Sequence, residues 1–149
     1  MKKRIICIAL IIVTMLSGSF IDGVSAETIP EAKKYLLTTN SVSGAKWSNA
    51  ESIVLTLSFG SGKANVGASL MGKTSVIKVS AVFRLKKKNS SGSYVTVKEW
   101  KAATIGRILN FSSSYAVDKG TYRFYVDATF LSATGTSETV TCYIEKVYK

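Results

Sequence analysis

The sequence predicts an all-β protein in which two antiparallel sheets pack face to face as a sandwich. Three observations predict it. From residue 51 onward, apolar and polar residues alternate with the period of two that a half-buried strand requires. Clusters of turn-forming Gly, Ser, Asn and Asp separate these segments at regular spacing. The chain has only one proline, and β-branched residues are frequent. A closed barrel is the alternative that the same pattern leaves open.

The first 26 residues predict an export signal, which is excluded from the fold. Lys2, Lys3 and Arg4 precede an apolar run at residues 5–16, and small residues follow at residues 24–26. A membrane-spanning helix needs about 20 apolar residues, so this run is too short for one. We therefore expect cleavage near Ala26 and a secreted protein, either extracellular or associated with the cell wall.

The remaining chain divides into a polar lead-in and one domain. Residues 27–50 predict a flexible N-terminal arm, and residues 51–149 predict the sandwich. The seven strand candidates are residues 53–59, 64–70, 75–86, 94–100, 109–117, 121–131 and 140–144. In the order of an immunoglobulin or fibronectin-III domain these are strands A, B, C, C′, E, F and G. The predicted fold is therefore immunoglobulin/fibronectin-III-like, with the two long segments as its central strands C and F.

The segment AVDKGTYRFYV, residues 116–126, predicts how strand E connects to strand F. Asp118 can bond turn amides, Gly120 can adopt a positive φ, and Tyr122 begins a strand with its ring toward the core. In immunoglobulin-type domains such a tyrosine bonds the backbone just upstream, where the chain crosses between sheets. A hairpin with Gly120 at a bulge is the alternative. A hairpin pairs residues 108–117 with 121–131, whereas a corner places them in opposite sheets.

The use of cysteine fits an exported bacterial protein. Only Cys142 follows the predicted signal, so no disulfide can form within the mature chain. Cys142 is in phase with Val140 and Ile144, which predicts a small buried apolar side chain. A reactive thiol or a disulfide between two chains is the alternative.

Two segments carry a resemblance to known proteins. Residues 86–100 form a hairpin that ends on Trp100, and residues 112–123 read SSSYAVDKGTYR. From residue 53 to its end the chain resembles a group of small secreted proteins of Gram-positive bacteria, common in clostridia and their gut relatives. It departs from them at Tyr94, where they often have tryptophan, and in lacking a cysteine near residues 64–66. The resemblance implies secretion and a β-sandwich, and it carries over no catalytic or binding residue.

The residue types argue against an enzyme, and we expect no cofactor and no metal site. The chain contains no histidine, which excludes Ser-His-Asp and Cys-His nucleophilic sites and zinc held by histidine. The carboxylates after the signal are scattered, without the spacing of a calcium loop and without a clear pair for glycoside hydrolysis. Ser-Lys and paired-carboxylate enzymes are the classes left open.

Positive charge and strand parity together predict a binding face. The chain has 20 Lys and Arg against 9 Asp and Glu, a net charge of +11, which favours anionic partners. If strands C′, C, F and G form one sheet, its outward residues make an aromatic and basic surface. The residues of this predicted face are Lys78, Arg84, Tyr94, Lys98, Trp100, Arg123, Tyr125 and Tyr143.

These observations predict a secreted, non-catalytic β-sandwich protein that binds an anionic cell-wall polymer, a glycan or a membrane surface. Aromatic rings stack on sugars, and cations attract phosphates. A secreted antagonist, such as a bacteriocin-like toxin or an enzyme inhibitor, is the alternative, because a cationic surface serves both. Charge that serves only solubility is a further alternative. We expect no specific nucleic-acid binding, since the chain is exported and has no recognition-helix pattern.

Overall fold

Alternating apolar and polar residues form nine β-strands in the computed structural model, which describes residues 34–36, 41–43 and 47–149. In chain order the strands are β1 (Lys34–Leu36), β2 (Ser41–Ser43), β3 (Ala50–Gly60), β4 (Lys63–Gly72), β5 (Val76–Lys88), β6 (Tyr94–Ile105), β7 (Ile108–Ala116), β8 (Gly120–Ser132) and β9 (Ser137–Tyr148). The seven predicted strands correspond to β3–β9. The predicted export signal lies outside the described residues.

The seven long strands form two antiparallel sheets, as the sequence predicts. Strands β9, β8, β5 and β6 lie side by side in one sheet, and β3, β4 and β7 form the other. The short strand β1 adds to β9 in parallel, and β2 pairs with β3 in antiparallel orientation. Neither sheet closes on itself within the described part of the chain, so the barrel alternative is wrong. The predicted strands C′, C, F and G, here β6, β5, β8 and β9, do share one sheet.

The core lies between the two sheets and consists of the apolar residues of the predicted alternation. Leu55 from one sheet and Phe83 and Phe124 from the other are fully buried. The Phe111 ring of β7 stacks on Phe83 with 4.0 Å between centroids, so an aromatic contact joins the sheets. Full burial of each such side chain contributes about 1.5–3 kcal/mol. Cys142 is also fully buried in this core and is not in a disulfide, as its phase predicts.

The sandwich begins earlier than the predicted boundary at residue 51. Trp47 is only 3% exposed and belongs to the core, and β3 begins at Ala50. The Glu138 carboxylate accepts hydrogen bonds of 2.7–2.9 Å from the backbone N–H groups of residues 48–50. This side chain satisfies the amides of the segment that leads into β3. The polar composition of residues 27–50 gave no sign of this contact, because its partner lies about 90 residues away in the sequence.

Candidate functional site

The connection between β7 and β8 is a corner between the sheets. The strand β7 lies beside β4 in one sheet, whereas β8 lies between β5 and β9 in the other. The buried Tyr122 hydroxyl donates a hydrogen bond of 2.9 Å to the backbone carbonyl of Asp118, four residues upstream. Gly120 has a φ of 152°, which residues with side chains rarely adopt. The corner prediction is therefore confirmed for Gly120 and Tyr122, and the hairpin alternative is wrong.

The side chain of Asp118 does not have the predicted role. Its carboxylate points into solvent with 93% of the side chain exposed, and it lies 3.7 Å from the Lys87 ammonium. Within residues 47–149, no backbone amide donates a hydrogen bond to this carboxylate. The corner uses the Asp118 carbonyl instead, which any residue supplies. A polar turn residue predicts the turn itself, but it does not predict which of its atoms makes the bond.

Five of the eight residues of the predicted face come together on the outer surface of the sheet that contains β9, β8, β5 and β6. They are Arg84, Tyr94, Arg123, Tyr125 and Tyr143. Tyr125 of β8 lies between Arg84 of β5 and Tyr143 of β9 in the strand register, and its ring stacks on Tyr143 with 4.8 Å between centroids. Tyr125 is only 8% exposed although it faces away from the core. The surrounding side chains cover it.

The Arg123 guanidinium contacts several side chains on one half of this surface. Its central carbon lies 3.9 Å from the Tyr94 ring centroid and 4.8 Å from that of Tyr143. Its Nε donates to Glu145 at 2.6 Å, and the Tyr94 hydroxyl donates to the same carboxylate oxygen at 2.7 Å. These hydrogen bonds from Tyr94 and Arg123 lower the pKa of Glu145, because they stabilise its charged form. We call Tyr94, Arg123, Tyr125, Tyr143 and Glu145 the tyrosine–arginine cluster.

The arginine charges on this surface are neutralised by neighbouring carboxylates. Arg84 forms ion pairs with Glu99, at 2.9 Å, and with Asp127. Arg123 forms one with Glu145, at 2.6 Å. Two guanidinium groups therefore meet three carboxylates across β5, β6, β8 and β9. The predicted face is an internally paired surface, and its arginines do not present free positive charge to a partner.

Two residues of the predicted face, Lys98 and Trp100, lie on the opposite side of the sheet. The pairing of β5 with β6 shifts by one residue between Leu85 and Lys86, so Lys98 pairs with the inward Leu85 and Trp100 with the inward Phe83. Trp100 contacts Phe111 at 5.8 Å between ring centroids. A bulge inserts one residue into a strand and inverts the alternation beyond it. Placing Lys98 and Trp100 outward was therefore wrong.

The last residue of the predicted face, Lys78, is exposed but lies away from the others. It precedes Arg84 by six residues on β5, and its neighbours across the sheet are Ile105 and Leu131. At about 3.3 Å per residue, Lys78 is roughly 20 Å from Arg84 along the strand. Lys78 belongs to the end of the sandwich where β4 joins β5, and it does not contribute to the tyrosine–arginine cluster.

The strand directions bring together a group of lysines that the sequence analysis did not identify. The β3–β4 turn, the β5–β6 loop, the β7–β8 corner and the end of β9 all lie at one end of the sandwich. Seven lysines lie in these segments or at the ends of the strands that enter them: Lys63, Lys86, Lys87, Lys88, Lys119, Lys146 and Lys149. The acidic side chains there are Asp118, whose nearest cation is Lys87, and Glu145, which is bound to Arg123. We call this the basic end.

The opposite end of the sandwich has a different composition. Its charged residues are nearly balanced, with an ion pair of 3.4 Å between Arg107 and Glu51. It also exposes isoleucine side chains, and Ile105 is 86% exposed. The basic end could have been located from the sequence. Successive strands of an antiparallel sandwich run in opposite directions, so every second connection lies at the same end. The evidence for the basic end therefore lay in which turns carry lysines, and the alternation within each strand did not contain it.

The described residues contain neither a metal-ligating cluster nor an exposed thiol. No group of three His, Cys, Asp or Glu side chains within them could hold a metal ion. Burial raises the pKa of the Cys142 thiol to about 12, and the nearby Asp127 charge acts in the same direction. The described part of the chain also has no helix long and apolar enough to cross a membrane. Comparison with protein-family models found no match, and comparison with curated proteins found none either.

Proposed function

We propose that this is a secreted, non-catalytic protein that binds anionic polymers of the cell envelope through its basic end. The observation that carries the proposal is the convergence of seven lysines from four separate segments on one end of the sandwich. Charge that served only solubility would have no reason to gather there. The paired arginines Arg84 and Arg123, on β5 and β8, support this choice of surface, because they leave the lysines as the accessible cations.

The exposure and spacing of these lysines suit a flexible polyanion. Lys63, Lys88, Lys119, Lys146 and Lys149 are exposed, and they surround the corner. Lys87 is on β5 and Lys119 immediately precedes β8, its neighbour in the sheet, and the spacing of about 4.8 Å between neighbouring strands is shorter than the Debye length of about 8 Å at physiological salt. Their potentials therefore add. Ammonium groups on flexible stems can follow the irregular phosphate or carboxylate spacing of a polymer.

A retention assay on purified Gram-positive cell walls tests this proposal. The Lys88→Gln/Lys119→Gln variant removes two charges from the basic end, and Lys78→Gln/Lys101→Gln removes two exposed charges elsewhere as a matched control. A lysine near an anionic surface contributes about 1 kcal/mol, so we expect at least a tenfold loss for the first variant. The control should lose less than twofold. Binding should also weaken steeply as NaCl rises from 50 to 300 mM, since added salt screens exposed charges.

Two results would contradict the proposal. Equal losses in the two double variants would show that only net charge matters. Retention that survives high salt would show that the lysines are not the contact. Anionic lipid vesicles serve as the comparison surface, and preferential binding to vesicles would reassign the partner to the membrane.

We further infer that the sandwich is immunoglobulin-like and that residues 1–26 are an export signal. The order β9-β8-β5-β6 against β3-β4-β7 corresponds to strands G-F-C-C′ against A-B-E. The tyrosine hydroxyl that bonds the backbone at the E–F crossing supports the same assignment. The position two residues after Tyr122 holds Phe124 instead of the cysteine of antibody domains. Mass spectrometry of the protein from culture medium tests the signal, with Glu27 expected as the first residue.

A further inference from the structure

A cavity of about 380 Å³ lies within the basic end, next to the corner. Its lining comes from four successive strands and includes Lys87 of β5, Val97 of β6, Tyr115 of β7 and Tyr122 of β8, together with Val117 and Asp118 of the corner. Asp118 lines the cavity on its solvent side, since its side chain is almost fully exposed, and we take this side as the opening. Cavities of this volume are at the small end of those that hold ligands.

Ammonium groups lie near the two tyrosine rings of the lining, and one of them, that of Lys87, belongs to the lining itself. The Lys87 Nζ lies 5.7 Å from the centroid of the Tyr122 ring, and the Lys98 Nζ lies 6.0 Å from that of Tyr115. The Tyr122 hydroxyl donates to the corner and its ring is only 1% exposed, so the partly buried Tyr115 is the residue that offers a ring face to a ligand. The chemistry suits a ligand that has a compact body beside the Tyr115 ring and an anionic group beside Lys87.

The ion pair at the opening is weak enough to exchange for a ligand. The Lys87 ammonium and the Asp118 carboxylate are 3.7 Å apart, and the carboxylate side chain is 93% exposed. Exposed pairs of this kind contribute little to stability. A phosphate or carboxylate on a ligand can therefore take the place of Asp118 beside Lys87. A cation is a poor fit because the described lining has one carboxylate, Asp118, which already faces Lys87, and a wholly apolar ligand would make no use of the Lys87 charge.

We propose that this cavity binds one anionic sugar unit, a phosphorylated or carboxylated monosaccharide. Sugar rings are of the size that the cavity admits, and their apolar faces stack on aromatic side chains. The inference rests on the proposed function, since such a unit would belong to the envelope polymer that the basic end binds. The lysines outside the cavity attract the polymer, and the cavity selects the chemistry of its repeating unit.

Titration of the ¹⁵N-labelled mature chain followed by NMR tests the inference. The probes are glucose 6-phosphate, glucuronic acid and glucose, which share a ring and differ in charge. We expect shifts of the Val97, Tyr115 and Val117 amides with an affinity near millimolar, and at least fivefold weaker binding of glucose. The preferred probe among the two anions identifies whether the unit carries a phosphate or a carboxylate.

Two variants at the opening should act in opposite directions. Lys87→Gln should weaken binding of the anionic probes about tenfold, because it removes the cation. Asp118→Asn should strengthen binding about threefold, because Lys87 loses its competing partner while the corner keeps the Asp118 carbonyl. Neither variant should change the affinity for glucose. A change of fold would appear as shifts throughout the spectrum, and the Asp118 variant provides a test that does not depend on the Lys87 variant.

The outcomes separate this inference from the proposed function. Absence of sugar binding, equal binding of glucose and its anionic derivatives, or weaker binding in Asp118→Asn would overturn the cavity site. Lysine-dependent retention on cell walls would still support the proposed function in each of those cases. Conversely, sugar binding at the cavity without retention on walls would leave the cavity site standing and reject the polymer as the partner.

Discussion

Replacing Tyr122 by Phe removes one hydroxyl from the corner and leaves the rest of the core in place. The ring is 1% exposed, and its centroid lies 5.6 Å from that of Phe59 on the opposite sheet. Phenylalanine preserves this packing. The hydroxyl donates to the Asp118 carbonyl at 2.9 Å, so the substitution deletes a single bond between the strand β8 and the turn before it.

The expected loss of stability is about 1 kcal/mol, the net contribution of a neutral hydrogen bond. The larger cost of an unsatisfied buried group does not apply in full, because the Asp118 carbonyl belongs to an exposed turn where water can replace the hydroxyl. For a domain of this size the dependence on urea is about 1–1.5 kcal/mol/M, so the unfolding midpoint should fall by about 0.7–1 M. The slope of the transition should not change.

Equilibrium unfolding in urea, followed by tryptophan fluorescence, measures this shift, since Trp47 and Trp100 pack against the core. Tyr148→Phe is the matched control, because Tyr148 also stacks on Phe59 and its hydroxyl accepts only a longer bond of 3.3 Å from the Gly62 amide. The control should lose less than about 0.5 kcal/mol. Equal midpoints for the two variants would refute the conclusion that the hydroxyl of Tyr122 holds the corner.

Other predictions follow from the structure of the sheet and core. Trp100→Ala should lower the free energy of unfolding, measured in urea titrations, by about 2 kcal/mol, because the ring is partly buried against Phe111. The same variant should be retained on cell walls as well as the native protein. Glu145→Gln should lower the free energy of unfolding at pH 7, because folding lowers the pKa of this carboxylate. The difference in free energy of unfolding between the variant and the native protein should shrink below about pH 4, where Glu145 becomes protonated and its contribution to stability is lost. Cys142 should resist iodoacetamide at pH 8 in the folded protein and react readily in urea, as measured by mass spectrometry, because its thiol is buried and its pKa is raised. Rapid alkylation of the folded protein would show that the strand β9 opens.

The sequence predicted the parts of the fold that depend on neighbouring residues. The period of two located β3–β9 within a few residues, and it placed Cys142 in the core. The order of Asp118, Gly120 and Tyr122 predicted the corner, because the bond that closes it spans only four residues. These features are local, and their geometry follows from the conformations that each residue prefers.

The candidate site was only partly predictable for the same reason. Strand parity correctly gathered Arg123, Tyr125 and Tyr143, which lie on regularly paired strands. It failed at Trp100 because the bulge in β6 is set by the pairing with β5, and the residues of β6 do not reveal it. It also could not show that Arg84 and Arg123 are neutralised, since their carboxylate partners come from other strands.

The sequence by itself determined the strands, the two-sheet sandwich and the corner of this protein, because alternation and turn chemistry act between residues close together in the chain. Only the tertiary structure decided which charges are paired and which are accessible. Strand order and direction bring Lys63, Lys88 and Lys119 to one end, and they open the cavity beside Lys87. A binding surface depends on residues that are distant in the sequence and close in space, and these come together only once both sheets have packed.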